Sequence, residues 1–201
     1  MPDVDWRIYH AINDFVWRHH WLGTLFKAIE TYGTILIAVA AIALWFLARP
    51  GEDRKWKIAA GSALGAAALG LLVNRVIASL HHRDRPFITH PSAHVFGPHK
   101  TDPSFPSDHT TAAIAIAVAV LLIDSAVGLV FLALAVLIAV GRVIVGEHYP
   151  GDVLGSTAIG VVAAFVVVRF GRPVILWITR IVERLTDPLI ARVWRPRTTE
   201  R

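Results

Sequence analysis

An all-α integral membrane bundle is the fold class this sequence predicts: about five transmembrane helices, with an interfacial amphipathic helix at each end. Three observations carry that expectation. The 201 residues are 55% hydrophobic with a mean hydropathy of +0.54, outside the range of soluble globular chains. The apolar residues are gathered into runs close to the ~20 residues that a bilayer requires. The net charge is +5, and the arginines sit beside those runs and in the C-terminal tail. Basic residues so placed anchor a chain against anionic head groups rather than bind nucleic acid. The length suits a single domain, residues 1–201, with a motif-bearing core at about 56–171 and a tail at 172–201.

Each element follows from local pattern. In residues 4–20, Val4, Ile8, Ile12, Phe15 and Val16 share one helical face, while Asp5, Asn13, Asp14 and Arg18 lie elsewhere. With Trp6, Tyr9, Trp17 and Trp21 alongside, this segment is expected to lie in the interface. The charges at Asp3, Asp5, Arg7, Asp14 and Arg18 argue against a signal peptide here, so insertion is expected to use the internal spans. The first span is expected at about 30–48, ended by the charged turn Arg49-Pro50-Gly51-Glu52-Asp53-Arg54-Lys55. The second, about 56–80, is rich in Gly and Ala, which lets helices approach closely in lipid. A polar loop, 81–106, follows. Spans three and four form a hairpin at 107–124 and 126–146, and a fifth runs over 153–170. From Arg172 the amphipathic pattern returns, with Ile175, Ile178, Ile181, Val182 and Leu185 against Arg180, Glu183 and Arg184.

Orientation follows from the loops. Arg49, Arg54, Lys55 and Lys57 flank the first turn, and the tail is arginine-rich, so the positive-inside rule places both in the cytoplasm. Five spans then put the 81–106 loop and the 146–152 turn together on the extracytoplasmic face. The chain has no cysteine, which excludes disulfides, Cys-ligated zinc and thiol catalysis. The loop is rich in histidine, but no pair at helical spacing has the carboxylate company of a zinc site, so no metal and no cofactor is expected.

The polar residues expected at that outer end are Arg85, Ser107, His109, Arg142, His148 and Asp152. Polar groups at the ends of membrane-length apolar runs are costly and are usually kept for function. Two partly desolvated guanidiniums suit an oxyanion, because arginine pairs with phosphate bidentately. Ser107 stands where loop becomes helix, so its hydroxyl and the N–H groups after it favour the same anion. His148 and Asp152 are four residues apart, which on one helical turn lets the carboxylate bond one ring nitrogen and leave the other free as nucleophile or base. His109, on a different helix, is then available as general acid. Singly, each has an ordinary reading as a helix cap or a snorkelling anchor; their conjunction on one side is the signal.

These residues resemble the type 2 phosphatidic acid phosphatase superfamily. Its pattern is Lys-x6-Arg-Pro, then Pro-Ser-Gly-His, then Ser-Arg-x5-His-x3-Asp. Here the matches are Arg85-Pro86, Pro106-Ser107-Asp108-His109, and Arg142 with His148 and Asp152. The resemblance implies that His148 attacks phosphorus to form a phosphohistidine, that Asp152 orients it, and that His109 protonates the leaving oxygen and then activates water. Arg85, Ser107 and Arg142 would hold the phosphoryl oxygens, with Asp108 and Arg83 as further phosphate-binding candidates. Three positions depart from the pattern. Ala78 stands where the family has lysine, and Arg83 or Arg75 is expected to compensate; Asp108 replaces glycine; Gly141 stands where serine is common. The Pro-Ser-Asp-His form with Arg-Pro-Phe resembles the bacterial undecaprenyl-diphosphate phosphatases of the bacitracin-resistance type. The implied partner is therefore a lipid phosphate or diphosphate, with undecaprenyl diphosphate expected first. Phosphatidylglycerol phosphate, phosphatidic acid and other polyprenyl phosphates are alternatives, and a non-catalytic lipid-phosphate binding or transport protein is the rival class.

Overall fold

The computed structural model describes residues 4–48 and 54–194. Most of the expected charged turn (49–53) and the last three tail arginines lie outside the described residues. The helices are α1 (Val4–Arg18), α2 (His20–Leu47), α3 (Lys55–Leu80), the single turn α4 (Pro86–Thr89), α5 (Asp108–Leu121), α6 (Ser125–Ile144), α7 (Pro150–Arg169) and α8 (Arg172–Trp194). All the regular structure among the described residues is helical, as the apolar runs predict.

Four helices, α2, α3, α6 and α7, are long and apolar enough to cross a membrane. The expected third span is shorter than the other four. Helix α5 has only 14 residues, ~21 Å at 1.5 Å per residue, against a hydrocarbon core of about 30 Å. It has no need to cross lipid alone, because it packs against α3, α6 and α7 and most of it is buried. Its far end is set by Asp124, which caps α6 and bonds Lys55 and Trp56 at the start of α3. The shortfall therefore falls at the other end. There Asp108 is level with Asn74, bonded at 2.8 Å, six residues or about 9 Å short of the end of α3 at Leu80. The 81–107 connection descends into this recess and brings the motif residues with it.

Small residues make the enclosure possible. Without a hydrophobic force between helices in lipid, association rests on close packing. Ala59, Ala60, Ser62, Ala63, Ala66, Ala67 and Gly70 form the inner face of α3, as the Gly/Ala run predicts. A Cβ on Gly70 would stand 2.8 Å from Thr111 Cγ2, and one on Gly160 of α7 would stand 2.8 Å from the Thr111 carbonyl oxygen. Thr111 is thus gripped from both sides. At the opposite end α8 lays Ile175, Thr179 and Glu183 inward. Buried Lys57 bonds Asp187 at 2.6 Å, and Arg54 bonds Glu183 at 3.0 Å, so two of the charges that bar α8 from lipid are paired with α3 and its start.

Helix α2 begins ten residues before the expected span at 30, because Lys27 and Glu30 are turned into the bundle rather than toward lipid. Helix α1 also differs from its periodicity. Val4, Ile8 and Phe15 are exposed, while Tyr9, Asn13 and Val16 are buried against the bundle. Tyr9 donates to the Gly146 carbonyl at 3.1 Å, and Asn13 exchanges two 2.8 Å bonds with the backbone of His94. Val4, Ile8 and Phe15 remain free for the interface, and the mixed stripe braces the loops over the recess.

Candidate active site

Three chain segments meet at the recess: the connection 81–107, the start of α5, and the turn from α6 to α7. The last is the tightest. Gly146 sits at φ +86, where a Cβ would meet the His94 carbonyl oxygen at 2.1 Å, so only glycine fits the position. This left-handed residue turns the chain so that Glu147 and His148 face back toward Arg142, whose carbonyl accepts from both their N–H groups at 3.2 Å. Pro150 then starts α7, and Asp152 accepts from the Tyr149 N–H at 3.0 Å as a capping residue.

His148 is buried and held at both ring nitrogens. Nδ1 lies 2.6 Å from the Ser104 carbonyl oxygen, which can only accept, so the proton is on Nδ1 and the lone pair on Nε2. Nε2 faces Arg142 Nη2 at 3.0 Å and Arg85 Nη1 at 3.5 Å. Burial first, then Arg142 and Arg85, push this imidazole well below its ordinary value. It is neutral at neutral pH, the state a nucleophile needs.

The orienting group differs from the expected one. Asp152 Oδ2 is 3.9 Å from His148 Nδ1, beyond hydrogen-bond distance, and instead accepts from Ser104 Oγ at 2.5 Å. The carboxylate thus fixes Ser104, and the Ser104 carbonyl fixes the ring. Arg83, expected as a phosphate ligand, is paired with carboxylates in this structure. Its guanidinium spans Asp152 Oδ1 and Asp5 Oδ2, both at 2.6 Å, and lies 4.1 Å over the Tyr149 ring. It ties α1 to α7. Arg75 is exposed. Asp108, also expected at the phosphate, directs its carboxylate to Asn74, from which it accepts at 2.8 Å. Asp152→Asn keeps the shape but removes the charge from this relay. We expect kcat to fall about 10- to 100-fold with KM little changed, the worth of one charge-assisted hydrogen bond. Unchanged kcat in a steady-state assay would take Asp152 out of the mechanism.

The remaining expected residues converge. Ser107 is the N-cap of α5 and fully buried; its N–H donates to Ser156 Oγ at 2.7 Å and its Oγ accepts from Thr110 at 3.1 Å. His109, half-buried, lies within electrostatic reach of Arg142, Glu30, Lys100 and Glu147. Arg85 is anchored by Asp102, at 3.0 Å to its carbonyl and 2.8 Å to its carboxylate, and donates to the Glu147 carbonyl at 3.0 Å. Arg142 Nε is buried and has no acceptor among the described residues. An orphaned guanidinium N–H on the arginine that faces the unprotonated imidazole nitrogen is a place for an oxyanion.

Four residues of the cluster lie outside the motifs. Arg142 bonds the Glu30 carboxylate of α2 through Nη1 and Glu147 Oε2 through Nη2. Lys27 Nζ reaches Glu30 at 2.5 Å and Glu147 at 3.1 Å, and Lys100 Nζ reaches Glu147 at 3.0 Å. Burial alone would raise the Glu147 carboxyl, but Arg142, then Lys100 and Lys27, outweigh it and hold Glu147 below the usual carboxylate range. Its position beside His148 was the one available signal in the sequence; nothing local marks Lys27, Glu30 or Lys100.

Sealed guanidiniums around a neutral, carbonyl-oriented histidine at the end of a helical membrane bundle define a class, the membrane-embedded phosphatases. Residues 59–175 match the family model described as the PAP2 superfamily, and the chain belongs to it. It is a phosphatase and a multi-pass membrane protein. The undecaprenyl-diphosphatase BcrC of Bacillus subtilis is 33% identical over 189 residues, 92% of this chain and 95% of that one. Among solved structures, Aquifex aeolicus LpxE superposes with a TM-score of 0.67 at 22% identity, covering 82% of this chain and 94% of that one. The PAP2-type phosphatidylglycerolphosphate phosphatase of Bacillus subtilis gives 0.64 at 23% identity, over 84% and 85%. Both share the fold.

Proposed function

We propose that this phosphatase hydrolyses a polyprenyl diphosphate, undecaprenyl diphosphate first, to the monophosphate through a phosphohistidine at His148. The observation that carries the reading is the His148 ring, with its proton held on Nδ1 by the Ser104 carbonyl and its Nε2 lone pair facing Arg142 and Arg85. In the first step the Nε2 lone pair attacks the terminal phosphorus. The N–P bond forms, the bridging P–O bond breaks, and the electron pair on the departing oxygen takes a proton from His109. In the second step a water gives its proton to His109 and attacks phosphorus. The N–P bond breaks, inorganic phosphate leaves and the Nε2 lone pair is restored. Arg85, Arg142 with its orphaned Nε–H, and the Ser107 hydroxyl stabilise the equatorial oxygens throughout. No metal ion takes part in this scheme.

The substrate assignment is supported by the similarity along nearly the whole length of the Bacillus subtilis relative, whose name gives its substrate as undecaprenyl diphosphate. The positive-inside count supports an extracytoplasmic face for the reaction. The test is phosphate release by purified protein in detergent, with undecaprenyl diphosphate, phosphatidylglycerol phosphate and phosphatidic acid in parallel. Preferential turnover of the diphosphate is expected. Turnover of the glycerolipids alone would keep the reaction and overturn the substrate.

A further inference from the structure

Two cations at the site have no part in the scheme above. Lys27 Nζ stands 3.1 Å from Glu147 Oε1, and Lys100 Nζ stands 3.0 Å from Glu147 Oε2. The same Oε2 receives Arg142 Nη2 and lies 3.5 Å from Arg85 Nη1. A single carboxylate therefore bridges an arginine pair that touches the His148 Nε2 and a lysine pair that does not. The pairs also differ in access. The side chains of Arg85 and Arg142 are only 3% and 1% exposed, whereas those of Lys27 and Lys100 are 29% and 34% exposed. Lys27 in addition lines an open cavity of about 370 Å³ with Thr24, Ala28, Thr31, Tyr32 and Phe96. Cationic hydrogen-bond donors thus run from the sealed arginines at the nucleophile, through Glu147, outward to the partly exposed lysines.

We propose that Lys27 and Lys100 form a second phosphate subsite, which takes the ester-side phosphate of a lipid diphosphate while Arg85, Ser107 and Arg142 hold the terminal one. The proposal rests on the phosphatase reading. Its polarity follows from access: the reacting phosphorus lies deep against His148, and the phosphate bearing the lipid lies outward, where the chain must leave. In the ligand-free protein the Glu147 carboxylate occupies both cation pairs, and buried Glu30 counterbalances them from α2. A diphosphate displaces Glu147 from both pairs; a monophosphate satisfies the arginines alone. When the bridging P–O bond breaks, its electron pair passes to the ester-side phosphate, which Lys27 and Lys100 face. The subsite therefore acts on kcat as well as KM, and it supplies the cations that Ala78 does not.

The test uses the full chain in detergent with a prenyl diphosphate and the monophosphate of the same chain length. Lys27→Met with Lys100→Met should lose about 30- to 100-fold in kcat/KM on the diphosphate and no more than about fivefold on the monophosphate. Lys27→Arg with Lys100→Arg should restore most of the diphosphate activity. Equal losses on the two substrates would overturn the proposal and leave the lysines as structural partners of Glu147 and Glu30. A binding arm is independent of turnover: inorganic pyrophosphate should raise the thermal midpoint of wild type more than orthophosphate does, and the methionine pair should lose that excess. No excess in wild type would overturn the subsite. Failure of wild type to hydrolyse either lipid would overturn the phosphatase reading and leave the subsite to be decided by this arm.

Discussion

Replacing His148 by alanine is expected to lower kcat by about 10⁴-fold or more, the scale at which loss of a covalent nucleophile removes its whole catalytic unit. Substrate affinity should change little, because Arg85 is held by Asp102 and Glu147, independently of the imidazole. The volume removed is small beside the bundle, and Ser104 keeps its bond to Asp152, so the fold should persist. A variant that binds a lipid diphosphate and leaves it intact is the predicted outcome in a paired binding and phosphate-release measurement. Activity within tenfold of wild type would assign the nucleophile elsewhere.

Arg142→Met should have the second largest effect, and on two observables. The guanidinium is buried and pairs with Glu30 and Glu147 while touching His148 Nε2. Methionine conserves much of the volume but strands two buried carboxylates, leaving Lys27 and Lys100 as their nearest cations. Breaking a buried pair from one side costs about 3–5 kcal/mol, so the thermal midpoint should drop clearly. Loss of one oxyanion ligand should lower kcat by a further 10²- to 10³-fold, about the cost of removing an oxyanion-hole donor. Arg142→Lys should recover more of the stability than of the activity, since an ammonium neutralises Glu147 but cannot reproduce the fork. Equal recovery of both would contradict the bidentate role.

The legible parts of this protein are those encoded by spacing. The apolar runs predict α3, α6 and α7 closely, and the pairing of His148 with Asp152, four residues on, places both at one turn. What spacing does not encode is who reaches a donor first. Asp152 lies four residues from His148 in sequence but its carboxylate stays 3.9 Å from Nδ1, and the Ser104 carbonyl, 44 residues away, takes that N–H at 2.6 Å. Arg83 looked free to replace the missing lysine because its partners, Asp5 and Asp152, are 78 and 69 residues distant. Lys27 and Glu30 misled in another way. At the head of an apolar run they resemble the polar boundary of a span, and only the bundle shows that α2 continues through them with both side chains turned inward. The length of α5 was hidden for a related reason: apolar residues to 123 continue the hydropathy, while the helix stops at Leu121 and Asp124 caps the next one.

The central claim is a covalent bond between His148 and phosphorus, and the direct measurement is transfer of label. Wild-type protein mixed with a prenyl diphosphate labelled in the terminal phosphate would be quenched within milliseconds in alkali, where phosphohistidine survives, and digested for peptide mapping. The account predicts label on the peptide carrying His148, lost on acid treatment and absent from the His148→Ala variant. Turnover with no label on that peptide at any quench time, or label retained in the variant, would contradict it.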